Sequence, residues 1–400
     1  LPVSVSGSGG FAAASSLKTT AQKQYGDTKP FSSSSYDKYL IEEEAERLKP
    51  GSAWHDGGKK SVIQNTWRYN VLKLDMPSDG VIWASSSDLM ITKVTDEDGC
   101  WHEDLTDIKG RKYATADAFG YTCYVYDHCG NICFVVPPAL SEYIRQGLET
   151  EGSIRYAYNS NDEMVKKYAY CYKYDSSHRC IYKKLPGCEP TYYIYDAAGN
   201  CILSQDGNSR AKGEWLFSIP DKFGRPCISG TCTGTFSYAS EPLHNSFVYA
   251  AYSSSTTANL GYTINGVSLQ GVQVHEAFFY DNYSFIGKNG CPSSLSYVSP
   301  SQGFPAKDAT AGRGLNTGHA VAYTDHSGIK GTLFTANYYD SRRRVVQSRS
   351  TNAKGGADVL LTEYTFTGKP LRTLATHSSS SVSGLQELTE YAYDHAERLV

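Results

Sequence analysis

Residues 96–99 form the acidic run Asp-Glu-Asp-Gly, which is typical of the start of a calcium-binding loop. Such a loop needs oxygen ligands at its first and twelfth positions, because Ca²⁺ takes about six to eight oxygens. Val94 stands at the first position and Leu105 at the twelfth, and neither side chain can bind a cation. The run is therefore predicted to be a hairpin turn.

Four side chains near residue 128 have the chemical types that bind zinc: Cys123, His128, Cys129 and Cys133. A structural zinc site needs four ligands, usually supplied as two spaced pairs. Two of these four residues lie inside one turn, and no second pair has the spacing that would complete a tetrahedron. The sequence predicts no metal site here.

No motif of a nucleotide site or a hydrolase is present. In the run Gly-Arg-Gly-Leu-Asn-Thr-Gly at residues 312–318, Thr317 stands where a dinucleotide fold needs glycine, and no Lys-Ser/Thr follows for a phosphate loop. Neither Gly-x-Ser-x-Gly nor Asp-Thr/Ser-Gly occurs. We therefore expect no catalytic residue, no cofactor and no enzymatic activity.

Composition narrows the class of protein. The 400 residues carry 38 Lys+Arg against 41 Asp+Glu, a net charge of -3, so nucleic-acid binding is not expected even though residues 342–344 are all Arg. No apolar run approaches the roughly 20 residues of a membrane-spanning helix. With 32 Tyr and 36 Gly against 3 Met, the composition favours pleated sheet and turns. The 11 Cys are interpreted as small core residues, and a disulfide framework stays open.

One pattern recurs nine times: Tyr-Asp, two or three variable residues that often end in Gly, then Arg or Asn, then a hydrophobic residue. Two copies lack the Tyr, and one has Thr365 in place of Asp. Four carry another residue where Gly is expected, namely His178, Ser284, Arg343 and Glu397. The turn residues predicted from this repeat are Asp107, Gly110, Tyr126, Asp127, Gly130, Tyr174, Asp175, Tyr195, Asp196, Gly199, Asp221, Gly224, Tyr280, Asp281, Tyr339, Asp340, Tyr364, Gly368, Tyr393 and Asp394.

Each copy is interpreted as a strand, a turn and a second strand. The Asp carboxylate accepts backbone N–H bonds two residues later, and the Gly position takes the left-handed conformation that a tight hairpin needs. Successive copies are about 20 to 29 residues apart in five intervals and about 48 to 60 apart in three, which we interpret as doubled units. A propeller built from the longer intervals is an alternative that the shorter intervals disfavour.

The predicted fold is mostly β: a long ribbon of β-hairpins coiled into a spiral or cocoon-like shell, with one or two short helices. Nine hairpins give about 18 strands, and an open twisted sheet rarely exceeds ~10. Helices are expected at residues 39–49 and 138–146. Loops are expected at residues 4–16, 253–257 and 378–383, and residues 292–317 are expected to form a lid or a lumen-filling insertion. Residues 1–94 are assigned to a β-rich entry segment and residues 95–400 to the repeat shell.

The repeat resembles that of bacterial Rhs/YD-repeat proteins. Residues 124–138, Tyr-Val-Tyr-Asp-His-Cys-Gly-Asn-Ile-Cys-Phe-Val-Val-Pro-Pro, are similar to a repeat that ends in a proline-initiated helix in one branch of that family. Lys184-Leu-Pro-Gly187 and Gly355-Gly356 fit the same branch. The resemblance implies a hollow cocoon that holds a C-terminal toxic polypeptide. The self-cleaving core of such proteins is expected beyond Val400, so no catalytic residue is transferred.

The sequence thus suggests a non-enzymatic scaffold that forms part of a shell, encapsulates a C-terminal toxin or effector and helps to deliver it in competition between cells. The expected partner is that cargo. Secretion-system components and glycans are further partners that we considered, and the expected location is secreted or at the cell surface. The alternative is a surface adhesion or carbohydrate-binding repeat protein, in which Tyr-rich faces contact the ligand.

Overall fold

A computed structural model describes residues 14–36, 44–78, 81–151, 157–159, 162–300, 302–310, 312–326, 328–382 and 384–400. The chain divides into two compact units, Leu1–Glu189 and Pro190–Val400. This boundary follows Glu189, whereas the division inferred from the sequence follows residue 94. The first reflects the density of contacts and the second reflects the onset of the repeat.

The first unit contains eleven strands and four helices in its described residues. These are α1 Ala14–Tyr25, β1 Ser33–Tyr36, β2 Glu44–Leu48, α2 Ser52–Asp56, β3 Ser61–Ser78, β4 Val81–Thr95, β5 Trp101–Thr106, β6 Lys112–Asp117, β7 Gly120–Tyr126, β8 Ile132–Val136, α3 Pro138–Glu151, β9 Ala157–Asn159, α4 Glu163–Tyr168, β10 Tyr170–Tyr174 and β11 Cys180–Lys184.

The second unit contains thirteen strands and one α-helix in its described residues, together with three short 3₁₀ turns. These are β12 Thr191–Tyr195, β13 Cys201–Gln205, α5 Gly207–Lys212, β14 Glu214–Pro220, β15 Pro226–Thr233, η1 Tyr238–Ser240, β16 Tyr249–Tyr252, η2 Ala258–Gly261, β17 Tyr262–Asn265, β18 Gln270–Tyr280, η3 Ser293–Leu295, β19 Asn316–Asp325, β20 Gly328–Tyr339, β21 Val345–Thr351, β22 Ala357–Tyr364, β23 Pro370–His377 and β24 Leu385–Glu390.

The strands of each unit pair antiparallel in almost unbroken chain order. In the first unit the ladder runs from β1 to β8 and continues through β10 to β11, while β9 pairs with the first residues of β4. In the second it runs from β12 to β15 and continues from β18 to β24, and β16 and β17 form a separate hairpin. The prediction of a mostly β fold built from consecutive hairpins is confirmed.

The prediction of a helix at residues 39–49 is wrong for the part of this segment that the structure describes. Residues 39–43 lie outside the described residues, and Glu44–Leu48 form β2. This strand pairs with β1 on one side and β3 on the other, and Glu46 makes an ion pair with Lys60 at 2.5 Å. Strand pairing on both sides outweighs the helix propensity of this segment. The helix expected from Pro138 is present as α3 and extends beyond residue 146.

The long intervals between repeats are not doubled repeats, so that interpretation is wrong. Each holds one insertion into an otherwise ordinary pair of strands: residues 137–169, residues 234–269 and residues 282–315. The first inserts α3 and α4, and the second inserts the β16–β17 hairpin. Of residues 4–16, predicted as a loop, those from Ala14 onward belong to α1, and residues 4–13 lie outside the described residues.

The insertions bury one face of the sheet. Leu140 and Ile144 of α3 pack with Val125 and Phe134 of the first unit. In the second unit the ring of Phe285, which lies in the third insertion, stacks on Phe279 at 4.3 Å. Apolar burial has no preferred direction and does not by itself fix the position of an insertion. Polar contacts to the strands supply that direction.

The segment predicted to be a lid, residues 292–317, lies mostly within this third insertion and covers strands of its own unit. The hydroxyl of Tyr338 donates to the carbonyl of Leu295 at 2.6 Å, and the Gln347 side-chain amide donates to the carbonyl of Val298 at 2.9 Å. Phe304 packs against the buried side chains of Leu361 and Leu374. The segment therefore supplies part of the hydrophobic core of the second unit.

Candidate functional site: a row of interlocked turns

The recurring turns lie along one edge of the sheet in each unit, because antiparallel strands paired in chain order bring alternate turns to the same edge. We call this set the turn row. It comprises the turns that begin at Asp107, Asp127 and Asp175 in the first unit, and at Asp196, Asp221, Asp281, Asp340, Thr365 and Asp394 in the second.

Asp340 shows how one turn is held. One carboxylate oxygen accepts the backbone N–H groups of Arg342 and Arg344, both at 2.9 Å. The backbone closes the loop, since Asp340 N–H donates to the Arg344 carbonyl at 2.9 Å and Arg343 N–H donates to the Asp340 carbonyl at 3.0 Å. The same two carboxylate bonds, at 2.7–3.0 Å, occur at Asp107, Asp127, Asp175, Asp196, Asp221 and Asp394.

The Gly position of the repeat adopts the left-handed conformation whatever residue occupies it. Gly224 has φ 80, and His178, Arg343 and Glu397 have φ 62, 64 and 59 at the equivalent position. A left-handed conformation costs a side-chain-bearing residue roughly 1–2 kcal/mol. The carboxylate and backbone bonds of the turn are therefore strong enough to hold this conformation without glycine.

In six of the turns, the second carboxylate oxygen binds the side chain at the Arg or Asn position of the same turn. The donor is the guanidinium Nε at 2.6–2.8 Å or the Asn amide at 2.9–3.3 Å. The pairs are Arg179 with Asp175, Arg225 with Asp221, Arg344 with Asp340, Arg398 with Asp394, Asn131 with Asp127 and Asn200 with Asp196.

These bonds set the acidity of the carboxyl groups. Burial raises the pKa of Asp340, but the bonds from the Arg344 backbone and guanidinium outweigh it and hold the pKa below its ordinary value. The Arg225 guanidinium lowers the pKa of Asp281 in the same way. Such carboxylates are ionised acceptors whose lone pairs are already used. They are poorly placed to act as a general acid or to bind a metal.

Six of the seven Tyr residues of the repeat tie their turn to the preceding turn. The hydroxyl donates to the carbonyl of the residue directly after the Arg or Asn position of that earlier turn, a position that Lys369 and Leu315 occupy in two of the turns. The bonds run from Tyr126 to Lys112 (2.6 Å), Tyr174 to Ile132 (2.9 Å), Tyr280 to Pro226 (2.8 Å), Tyr364 to Val345 (2.9 Å) and Tyr393 to Pro370 (2.8 Å), and Tyr339 bonds in the same way to Asn316. A hydroxyl at this position explains why Tyr precedes Asp.

The cation of one turn also lies over the Tyr ring of the next. The pairs are Arg111 with Tyr126 (5.2 Å), Arg225 with Tyr280 (4.3 Å), Arg344 with Tyr364 (4.9 Å) and Lys369 with Tyr393 (5.2 Å). Cation–π contacts of this kind contribute about 0.5–1 kcal/mol at exposed sites. In these four pairs, the cation and the next Tyr join consecutive turns of one unit, and Tyr174 and Tyr339 join two further pairs of turns through their hydroxyl bonds; we call these contacts the interlock.

Asp281 departs from the pattern, because the third insertion lies inside its turn. Its backbone N–H donates to the carbonyl of Leu315, and its carboxylate accepts Gly314 N–H at 2.6 Å and the Arg225 guanidinium at 2.9 Å. Ser284, expected to stand at the Gly position, belongs to the insertion. Asp281 still joins its turn to the preceding one, and its φ of 71 is left-handed.

Two further turns of this geometry were not recognised as repeats. Asp96 accepts the N–H groups of Asp98 and Cys100 at 2.9 and 2.8 Å, so the acidic run is a hairpin turn. Asn352 accepts those of Lys354 and Gly356 at 3.2 and 2.9 Å. Both turns lack the preceding Tyr. An Asp or Asn three residues before Gly is the signal that would have found them.

A pocket of about 270 Å³ lies between the turns at Asp221 and Asp281, lined by Cys227, Tyr262 and Phe279 among others. Its charged lining residues are Asp221, Lys222, Arg225 and Asp281, and Arg225 forms ion pairs with both aspartates, at 2.6 and 2.9 Å. The pocket therefore has aromatic walls and charged groups that are mostly paired with each other.

Four of the buried thiols are not activated. Burial raises the pKa of Cys171, Cys227, Cys232 and Cys291 to about 11, which favours the inert thiol over the thiolate. None of the 11 cysteines, which all lie in the described residues, forms a disulfide bond.

The four side chains considered for zinc do not converge. Cys133 is buried in the core of the first unit, whereas Cys129 is exposed in the Asp127 turn. Among the described residues, no group of three or more His, Cys, Asp or Glu side chains could hold a metal ion. No helix in the described part of the chain is long and apolar enough to cross a membrane.

Comparisons with known proteins give structural likeness only. No protein-family model matches the chain, and no curated protein matches it. Among solved structures, it is similar to the TcdB2-TccC3-Cdc42 crystal structure, with 12% identity, a TM-score of 0.38, and coverage of 92% of this chain and 16% of that one. It is also similar to the Photorhabdus luminescens Tc holotoxin pore, with 12% identity, a TM-score of 0.22, and coverage of 99% of this chain and 23% of that one. The chain thus spans less than a quarter of either structure.

Proposed function

We propose that this chain is a non-enzymatic Rhs-type scaffold, part of the wall of a hollow shell that encloses a toxin or effector polypeptide. The observation that carries the proposal is the turn row, in which the same few contacts join six of the seven pairs of consecutive turns that lie within a unit. Contacts that repeat from hairpin to hairpin do not converge on an active site. They build an extended sheet, which can serve as a wall.

The physics of long sheets supports an enclosing wall. Adjacent strands twist by roughly 20–25°, and open twisted sheets rarely exceed ~10 strands without curling or splitting. Each unit already contains a ladder of about that length, and the turn row offers a uniform way to continue it. A ribbon that curls onto itself also protects strand edges that would otherwise pair with other chains.

A scaffold role also agrees with the state of the reactive groups in the turn row. Seven of the eight aspartates accept bonds on both carboxylate oxygens, and burial raises the pKa of thiols such as Cys227. Chemistry would require lone pairs and thiolates that are free. The enclosed polypeptide is the proposed partner. Delivery to another cell and an extracellular location are parts of the same proposal, supported by the resemblance of the repeat.

The test uses the complete gene product that contains this sequence. Cryo-electron microscopy should show a closed β-wall with additional density inside it. Limited proteolysis should leave the enclosed segment intact while the wall is intact, and should digest it after mild denaturation. An open sheet without internal density, or a cargo that is digested equally under both conditions, would overturn the proposal.

A further inference from the structure

The turn row of the second unit carries exposed side chains that take no part in the Asp and Tyr contacts of the interlock. Its members are exposed residues at the tips of successive turns, and we call them the tip row. It consists of Lys222, Phe223, Arg313, Arg342, Arg343 and Phe366. The turns that bear them are joined in sequence by Arg225 to Asp281, Tyr339 to Asn316 and Tyr364 to Val345, so the tips follow one edge.

Phe223 and Phe366 stand out because each is 83% exposed at the tip of its turn. The turn geometry does not require a phenyl group there, since other turns carry Ser177 or Ala198 at the position of Phe223, two residues after the Asp. An exposed phenyl group costs free energy in water unless something covers it. The two rings lie on hairpins six strand spacings apart, or about 30 Å.

The cations of the tip row form no ion pair among the described residues. Arg225, Arg344 and Arg398 are paired with the aspartates of their own turns, whereas Lys222, Arg313, Arg342 and Arg343 are not in any ion pair of the described chain, although the charge of Arg313 helps to lower the pKa of Asp281. The Arg342 guanidinium donates to the carbonyl of Phe366 at 2.8 Å and lies 4.4 Å from the centre of its ring. The tip row is therefore positive, although the whole chain has a net charge of -3.

We propose that the tip row docks this unit onto an anionic lipid bilayer. Apolar side chains that project from convex turns enter a soft interface readily, whereas binding to another protein normally buries such anchors in preformed pockets. Basic side chains near an anionic membrane are each attracted to the surface. The phenyl groups and the cations lie at the same edge of the sheet. The rings can therefore enter the apolar layer below the lipid headgroups while the cations lie among the headgroups.

The inference does not depend on the proposed shell function, and vesicle co-sedimentation tests it with the purified chain. Binding should be seen with vesicles of phosphatidylcholine and phosphatidylserine, and should be lost with phosphatidylcholine alone or at high salt. The F223S/F366S double variant and the R342E/R343E double variant should each bind about tenfold more weakly.

Two matched controls keep the test specific. Phe119 is 86% exposed at a hairpin tip of the first unit, and Lys354 is exposed at the edge opposite the turn row. F119S and K354E should bind like the unaltered chain. The proposal is overturned if the chain does not bind the anionic vesicles, or if the controls weaken binding as much as the tip-row variants do. It is also overturned if the chain binds an acidic polypeptide such as poly-glutamate but does not bind the anionic vesicles.

Discussion

The hydroxyl of Tyr174 donates a 2.9 Å hydrogen bond to the carbonyl of Ile132, 42 residues earlier in the chain. Ile132 begins the strand that leaves the Asp127 turn, and Tyr174 ends the strand that enters the Asp175 turn. The bond therefore joins two consecutive turns across the whole of the first insertion. It shows that the repeat is preserved in space where the sequence interval between copies more than doubles.

Removing this hydroxyl should weaken the first unit. Tyr174→Phe leaves the ring in place and takes away the bond to Ile132, so the free energy of unfolding should fall by about 0.5–1.5 kcal/mol. Urea denaturation followed by circular dichroism measures the change. Tyr172 lies on the same strand and is a matched control, because no hydrogen bond of its hydroxyl is found among the described residues. Equal losses in both variants would contradict the interlock.

Glycine should stabilise the turns that lack it. His178 and Arg343 adopt φ values of 62 and 64, which glycine takes without steric cost. Arg343→Gly should raise the free energy of unfolding by about 0.5–1 kcal/mol, after the greater entropy of glycine in the unfolded chain is allowed for. His178→Gly should gain less, because it also removes the 3.0 Å hydrogen bond between the His178 ring and the Asn131 amide. The reverse change, Gly110→Ala, should be destabilising. Thermal unfolding of the three variants and the unaltered chain measures these differences in the free energy of unfolding.

Thr365 offers a test of the carboxylate itself. Its hydroxyl accepts the N–H of Lys369 at 3.0 Å, whereas an Asp at this position of the other turns accepts two N–H groups and a cation. Thr365→Asp should restore those contacts and stabilise the second unit by about 0.5–1.5 kcal/mol. The converse change, Asp340→Thr, should be destabilising in the same denaturation assay. A neutral or unfavourable Thr365→Asp would show that the second oxygen contributes nothing.

Alkaline pH should loosen the structure through its tyrosines. Burial raises the pKa of Tyr174 and of Tyr338 to about 12, above the ordinary value of 10.0. Because the folded chain holds these protons more tightly, their contribution to stability is complete below pH 10 and is lost as the pH rises from 10 to 12. Ultraviolet titration of the phenolate band should show late-ionising tyrosines that coincide with unfolding. Ionisation of all tyrosines near 10 in the folded state would contradict this expectation.

The sequence was enough to find the turns because their chemistry is local. An Asp that accepts N–H groups two and four residues later leaves a short motif, and so does the Tyr before it. Asp281 shows where this reasoning stops, since the residues that complete its turn, Gly314 and Leu315, lie beyond an insertion that no local pattern signals.

The errors have a common physical origin in contacts between distant segments. Glu44–Leu48 has the residues of a helix but forms β2, because β1 and β3 satisfy its backbone on both sides. The insertions resemble extra repeats in length, yet they pack on the sheet through contacts such as Tyr338 with Leu295. Neither outcome is encoded within a few residues, so neither could be predicted from spacing alone.

The central claim is that consecutive turns are energetically coupled, and a double-mutant cycle between Arg344 and Tyr364 tests it most directly. The Arg344 guanidinium lies over the Tyr364 ring and also donates to the carbonyl of Thr365 at 2.9 Å. We expect a coupling energy of about 1 kcal/mol between Arg344→Gln and Tyr364→Leu, and additivity within about 0.5 kcal/mol between Arg344→Gln and Tyr393→Leu, one turn further along. Additive effects of Arg344→Gln and Tyr364→Leu would contradict the account, because the turns would then be independent hairpins.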